Sequence, residues 1–151
     1  MGLDFMIYIV GKGKLSGKTV DQAWEYIDNL QEAAYGRKCY EITRCLQINM
    51  IQGYSLIKKN IWDDLIADLK SGEQIIRNLN DVCCADSKTV SKRTYHKYCQ
   101  AYINWYSETF GGTPTTDYDF STGYMLNMLE ADRKIQEAYK DDKEVWGFAS
   151  Y

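Results

Sequence analysis

The sequence predicts an α+β fold, mainly helical, with about four to five helices and a small sheet of about two or three strands that includes the N-terminal strand. Three observations predict it. The apolar run Phe5 to Val10 has the length of a strand, most of the remaining chain repeats apolar residues at three- and four-residue steps, and glycines punctuate those repeats. At 151 residues the chain has the size of one domain, 1–151, able to bury its own core without metal or disulfide.

The first strand, Leu3 to Val10, lacks clean polar alternation, so it is expected to be covered on both faces. It ends in Gly-Lys-Gly. Thr19 with Gln22 three residues on forms a capping box, and Val20, Ala23, Trp24, Ile27, Leu30 and Ala34 mark one helical face, with Gly36 as the stop. Cys39, Ile42, Cys45, Leu46 and Asn49 suggest a second helix. After Gly53, Tyr54 to Ile57 reads as a strand pairing with the first. Asn60 and Asp63 then open a helix through Trp62, Leu65, Ile66, Leu69, Ile76 and Leu79, with Gly72 as a point of interruption. A helix over Ser91 to Tyr106 carries a tyrosine stripe, Tyr95, Tyr98, Tyr102 and Tyr106. Glycine and proline in Phe110 to Asp119 oppose its continuation. A last helix covers Ser121 to Tyr139, and Val145, Trp146 and Phe148 in the tail are expected to dock onto the body or a neighbour.

The 18 Lys plus Arg against 21 Asp plus Glu give a net charge of -3, which supplies no overall attraction to nucleic acid or anionic lipid. The longest apolar run is too short to span a bilayer, and no basic flank of a signal peptide precedes it. Met6 replaces the Ser or Thr of a myristoylation pattern. Five cysteines without a regular framework fit a reducing cytosol.

Several constellations carry chemistry. Gly11-Lys-Gly-Lys-Leu-Ser-Gly-Lys-Thr19 follows a strand and precedes a helix, as a phosphate-binding loop does, but neither Gly11 nor Gly13 has the four-residue spacing to Gly17 that such a loop needs. Lys12, Lys14 and Lys18 remain candidates for contact with a phosphate or an acidic surface. Cys83, Cys84, His96 and Cys99 share one stretch, yet adjacent cysteines do not readily close a tetrahedral zinc site. No acidic orienter at helical spacing supports a thiolate nucleophile with His96. The carboxylate pairs Asp63-Asp64, Asp117/Asp119 and Asp141-Asp142 read as solvated charge. Lys88, Lys92, Arg93 and Lys97 with Tyr95 and Tyr98 offer a nucleic-acid reading against a solvated helix face. No catalytic residue, cofactor or metal is expected.

The opening Met1-Gly-Leu-Asp-Phe-Met-Ile-Tyr8 resembles a family of small uncharacterised bacteriophage and prophage proteins that begin Met-Gly-Leu-Asp-Met-Tyr-Leu. Tyr35-Gly-Arg37-Lys38-Cys-Tyr-Glu-Ile42 is similar to the family's Tyr-Trp-Arg-Lys segment, with glycine in the tryptophan position and Thr43 where the histidine stands. Phe110-Gly-Gly and Thr116-Asp-Tyr-Asp-Phe120 are similar to its aromatic-glycine stretch and acidic-tyrosine turn. The resemblance implies a phage-derived protein in a bacterial cytosol that binds and modulates a host protein, as anti-defence and anti-CRISPR factors do. A tyrosine-rich surface suits that role, because tyrosine gives contact area at little rotamer cost. The expected contacts are Tyr95, Tyr98, Tyr102 and Tyr106, with Asp117, Tyr118 and Asp119 on an ordered recognition loop over Phe110 to Phe120. A homodimer through the aromatic surface is a further expectation. The alternatives are a nucleotide- or phosphate-binding enzyme using the 11–19 loop and a nucleic-acid-binding protein using the 88–98 face.

Overall fold

The computed structural model describes residues 3–50, 53–84, 90–114 and 121–150. Among them the chain runs β1 (Asp4–Val10), α1 (Val20–Ile27), β2 (Ala34–Arg37), α2 (Tyr40–Cys45), β3 (Tyr54–Leu56), α3 (Lys59–Ser71), α4 (Glu73–Cys84), α5 (Lys92–Phe110), α6 (Thr122–Lys140) and β4 (Glu144–Ser150). The α+β class holds. The described residues contain six helices and four strands, more of each than the sequence suggested. The sheet is antiparallel throughout, in the order β2-β1-β4-β3.

Alternation along the strands builds two cores. Phe5 and Ile7 of β1, with Val145 and Ala149 of β4, face a main core shared with Trp62, Leu65, Leu69, Ile76, Leu79, Tyr102, Met125, Met128 and Ile135 of the long helices. Tyr8, Val10, Trp146 and Phe148 face the opposite way, onto Ala23 and Ile27 of α1 and Leu15 of the loop before it. The first strand is therefore covered on both faces, as its uniform hydrophobicity suggested. Rings interlock in the smaller core. Tyr8 and Trp24 meet Phe148 edge-on at 5.6 and 5.1 Å, and Tyr54 stacks on it at 5.5 Å.

The tail does more than dock. As β4 it lies between β1 and β3, seven residues paired to β1 from Asp4↔Ser150 to Val10↔Glu144 and three to β3. This corrects the expected pairing of Tyr54 to Ile57 with the first strand: β4 occupies that edge of β1, and β3 adds outside it. The opposite edge takes β2, at Phe5↔Gly36 and Met6↔Tyr35. Gly36 is thus a strand residue and not a helix stop. A Cβ on it would stand 2.2 Å from the Phe5 ring, so only glycine lets that buried ring lie across β2. The capping box forms as read, Gln22 N–H to Thr19 Oγ1 at 3.2 Å and Thr19 N–H to Gln22 Oε1 at 3.0 Å, but α1 ends at Ile27. Leu30 and Ala34 fall beyond it, because pairing with β1 captures the following residues.

The second helix is likewise only Tyr40–Cys45, closed by Gln47 in the left-handed region at φ 57°. Gly72 does interrupt the expected long helix, and the Trp105 ring explains why. A Cβ on Gly72 would sit 2.1 Å from that ring, whose Nε1–H donates to Ser71 Oγ at 3.1 Å. Ser91 caps α5 through Thr94 N–H at 3.2 Å, and Gly111 at φ 74° ends it. Ser121 occupies the cap position of α6 with φ 61° and makes no side-chain capping bond to it. No helix among the described residues is long and apolar enough to cross a membrane.

Alanine substitution separates close approach from open space. Gly36→Ala forces the Phe5 ring out of a closed core and is expected to cost about 1–3 kcal/mol of stability. Gly123 in the first turn of α6 has only Asn80 Oδ1 near its would-be Cβ, at 3.8 Å. Gly123→Ala is therefore expected to gain about 0.5 kcal/mol. Urea unfolding of both variants checks the opposite signs; equal midpoints would contradict the packing described.

Candidate interaction surface

The tyrosine stripe divides. Tyr102 is wholly buried and Tyr106 nearly so, at 0% and 4% exposure, within the main core. Their hydroxyls reach partners that no local pattern announces: Tyr102 donates to Met125 Sδ at 3.6 Å, and Tyr106 to Glu41 Oε2 at 2.6 Å. This corrects their place in a contact surface, since burial in the core leaves them nothing to present. Tyr95 and Tyr98, one and two turns into α5, stay at the surface end of the helix, Tyr95 36% exposed and Tyr98 half-buried.

Tyr98 lines a groove of about 310 Å³ between the end of α4 and the start of α5, with Asn78, Asp81, Val82, Val90, Ser91 and Thr94. Its walls are mixed. Val82, Val90 and the Tyr98 ring supply apolar contact, and Asn78, Asp81 and Thr94 supply polar edges. Beside it stands Tyr95, whose ionisation is pushed up chiefly by its interaction with the Cys99 thiol, with burial second. His96 meets Tyr95 edge-on at 6.2 Å. Lys92, Arg93 and Lys97 are exposed around the same turns, and Lys88 lies outside the described residues.

The recognition-loop expectation falls only partly within the described residues. Phe110 packs on the Trp105 and Tyr106 rings at 5.6 and 5.0 Å. Gly112 lies so close to Glu41 that a Cβ would come within 2.3 Å of Oε1, and Pro114 is buried. Glu41 thereby ties α2 to α5 and to the start of the tract. Asp117, Tyr118 and Asp119 lie outside the described residues.

The 11–19 loop is occupied by its own protein. Gly13 N–H donates to Glu144 Oε1 at 2.9 Å, and Thr19 Oγ1 serves the α1 cap. Lys12 pairs with Asp142 at 3.1 Å, an exposed contact of small energetic weight. Lys18 stands 5.8 Å from the Tyr26 ring centroid, and its carbonyl accepts from Tyr54 Oη–H. Lys14 is exposed, its backbone N–H bonded to Gly11 O at 3.1 Å. A carboxylate thus sits at an amide that a phosphate would need, and Leu15, 0% exposed, anchors the loop in the smaller core. The loop joins β1 to the α6–β4 turn.

The other constellations are also drawn apart or engaged. His96 is exposed while Cys99 is buried, and no group of three or more metal-ligating side chains gathers among the described residues. Asp63 accepts from Lys59 at 2.6 Å and from Gln136 at 2.6 Å, and those bonds hold its carboxyl below the usual range. Gln136 also donates to Asp132 at 3.1 Å, which accepts from Trp62 Nε1–H at 2.8 Å. This network bolts α3 to α6. Sequence reasoning missed it, since Trp62 and Asp132 lie 70 residues apart.

Comparison with protein-family models, with curated proteins and with solved structures yields no match to this chain.

Tyr106, buried, and Tyr139, partly buried, set an alkaline limit. Burial first, then the Glu41 bond and charge, push Tyr106 far up, and burial followed by the Asp63 charge pushes Tyr139 up, both from an ordinary 10.0. A raised pKa means the unfolded chain releases those protons first, so stability is intact below pH 10 and falls as pH rises beyond it. Chemical denaturation at pH 8, 10 and 11 is expected to show this decline. Tyr139→Phe should flatten it, and an unchanged slope in that variant would count against the burial described.

Proposed function

We propose that this chain is a non-enzymatic, phage-type protein that binds a host protein and modulates or inhibits it, in the manner of an anti-defence or anti-CRISPR-like factor acting in a bacterial cytosol. The observation that carries the reading is an exposed Tyr95 beside the groove lined by Tyr98, Val82 and Val90. An exposed aromatic beside a concave, partly apolar cleft is the form of an interface anchor and its socket. Such sites concentrate binding energy in a few aromatic or arginine residues. Binding there would act by occlusion, covering a functional surface of the partner.

Two features favour this reading over the enzyme alternative. In the 11–19 loop Gly13 N–H and Thr19 Oγ1 are already bonded to Glu144 and Gln22, and the half-buried carboxylates Asp63 and Asp132 serve helix packing. For nucleic acid, the exposed cations of α5 stand on a chain of net charge -3, and Asp81 lines the groove itself. Both oppose a phosphate backbone.

The test is affinity capture from bacterial lysate with the full chain, followed by identification of stoichiometric partners. Tyr95→Ala and Tyr98→Ala, each checked for an unchanged melting curve, are expected to weaken capture by roughly 30-fold or more, the effect of removing a hot-spot side chain of about 2 kcal/mol. Undiminished capture by both folded variants would move the interface elsewhere. Failure of the wild-type protein to retain any partner would reject the function itself.

A further inference from the structure

The sheet ends differently on its two sides. At the β2 edge Tyr35 N–H donates to Asn127 Oδ1 of α6 at 3.3 Å, and α6 packs along that strand. At the other edge no strand lies beyond β3. The ladder with β4 decides which backbone groups this edge presents. Ile57 N–H donates to Val145 O at 2.8 Å and Gly53 O accepts from Ala149 N–H at 3.3 Å, so with Ser55 opposite Gly147 the odd-numbered residues bond to β4. Bonding alternates along an antiparallel strand, and the N–H and C=O of Tyr54 and Leu56 therefore point outward. Among the described residues nothing bonds to these outward groups.

We infer that this edge pairs with the same edge of a second copy, β3 to β3 and antiparallel, about a two-fold axis through Ser55. The geometry is self-complementary. With Ser55 opposite the Ser55 of the second copy, Tyr54 stands opposite Leu56 in both directions, and each such pair exchanges two N–H···O bonds. Every outward group of both copies then has a partner. The side chains agree with that register. Tyr54 packs against the smaller core, stacked on Phe148, and Leu56, two residues on, shares its face yet is 43% exposed. Pairing sets the uncovered Leu56 of each copy beside the Tyr54 ring of the other, a favourable cross-strand contact. Charge does not oppose it. Tyr54, Ser55 and Leu56 are neutral, without the lysine or proline that blunts an edge, and the Lys58 and Lys59 of the two copies fall at opposite ends of the ladder. Three residues a side are far fewer than the roughly 20–30 of a standard interface, so the dimer is weak and concentration controls it. It uses none of the α5 surface and stands whether or not that face binds a host protein.

The test is sedimentation equilibrium of the full chain over a concentration series, beside Leu56→Pro and Tyr95→Ala. The wild-type mass is expected to rise from that of the monomer toward twice that value. Leu56→Pro removes an outward N–H and no bond to β4, at a place where an edge strand accepts proline, so it is expected to stay monomeric with its melting curve kept. Tyr95→Ala is expected to associate as the wild type does. Amide hydrogen exchange of the wild-type chain, read by NMR, frees the test from the folding of the proline variant. Tyr54 and Leu56 N–H are expected to gain protection as concentration rises. A wild-type chain that stays monomeric throughout the series, exchange at both amides indifferent to concentration, association that survives in folded Leu56→Pro, or association lost in Tyr95→Ala would each overturn the inference, the last by giving the contact to the α5 face.

Discussion

The insertion of β4 between β1 and β3 is the contact on which the rest of the molecule depends. It joins residues at opposite ends of the chain, Asp4↔Ser150 through Val10↔Glu144, and it completes both cores at once. Val145 and Ala149 enter the main core, and Trp146 and Phe148 enter the smaller one. Without β4, β3 has no partner and α1 has little to rest on. Gly147 shows how tight this is: a Cβ there would lie 2.5 Å from Ile48 Cδ1, so the strand passes directly beneath that side chain. A sheet organised by so long-range a pairing must spend loop-closure entropy before its contacts repay it, which places sheet completion late in folding.

That dependence explains what the sequence made legible. Signals confined to one turn were readable: the Thr19–Gln22 box and the break in α5 at its glycines both involve groups within four residues of one another. The two-sided burial of β1 was readable because unbroken hydrophobicity leaves no face for water. What failed was decided across the chain. Gly36 looks like a helix stop until Phe5 is laid across it, and the Tyr54 strand has two apolar partners to choose from until β4 takes the place beside β1. The tail escaped assignment as a strand because Glu144–Ser150 contains a glycine at its centre, a residue disfavoured in strands unless something packs over it.

The tyrosines follow the same logic at the level of the site. Their spacing placed them on one side of α5, and that much was correct, but a stripe says which face turns inward and not how deep each residue goes. Depth was set by the hydroxyl partners. Glu41 sits on α2 and Met125 on α6, and each lets a phenol enter the core that would otherwise leave a polar group stranded there. Tyr95 stands near the start of α5 and keeps its ring 36% exposed.

That choice of partner bears on function. A carboxylate such as Glu41 holds a phenol with a short, charge-assisted bond at 2.6 Å and fixes it for as long as the fold persists. The tyrosines that build the core are fixed in this way by a carboxylate and a thioether, each supplied by another helix. Tyr95, on the same helix but exposed, keeps its ring at the surface, so rigidity is placed where folding needs it and contact area is left where another molecule can meet it.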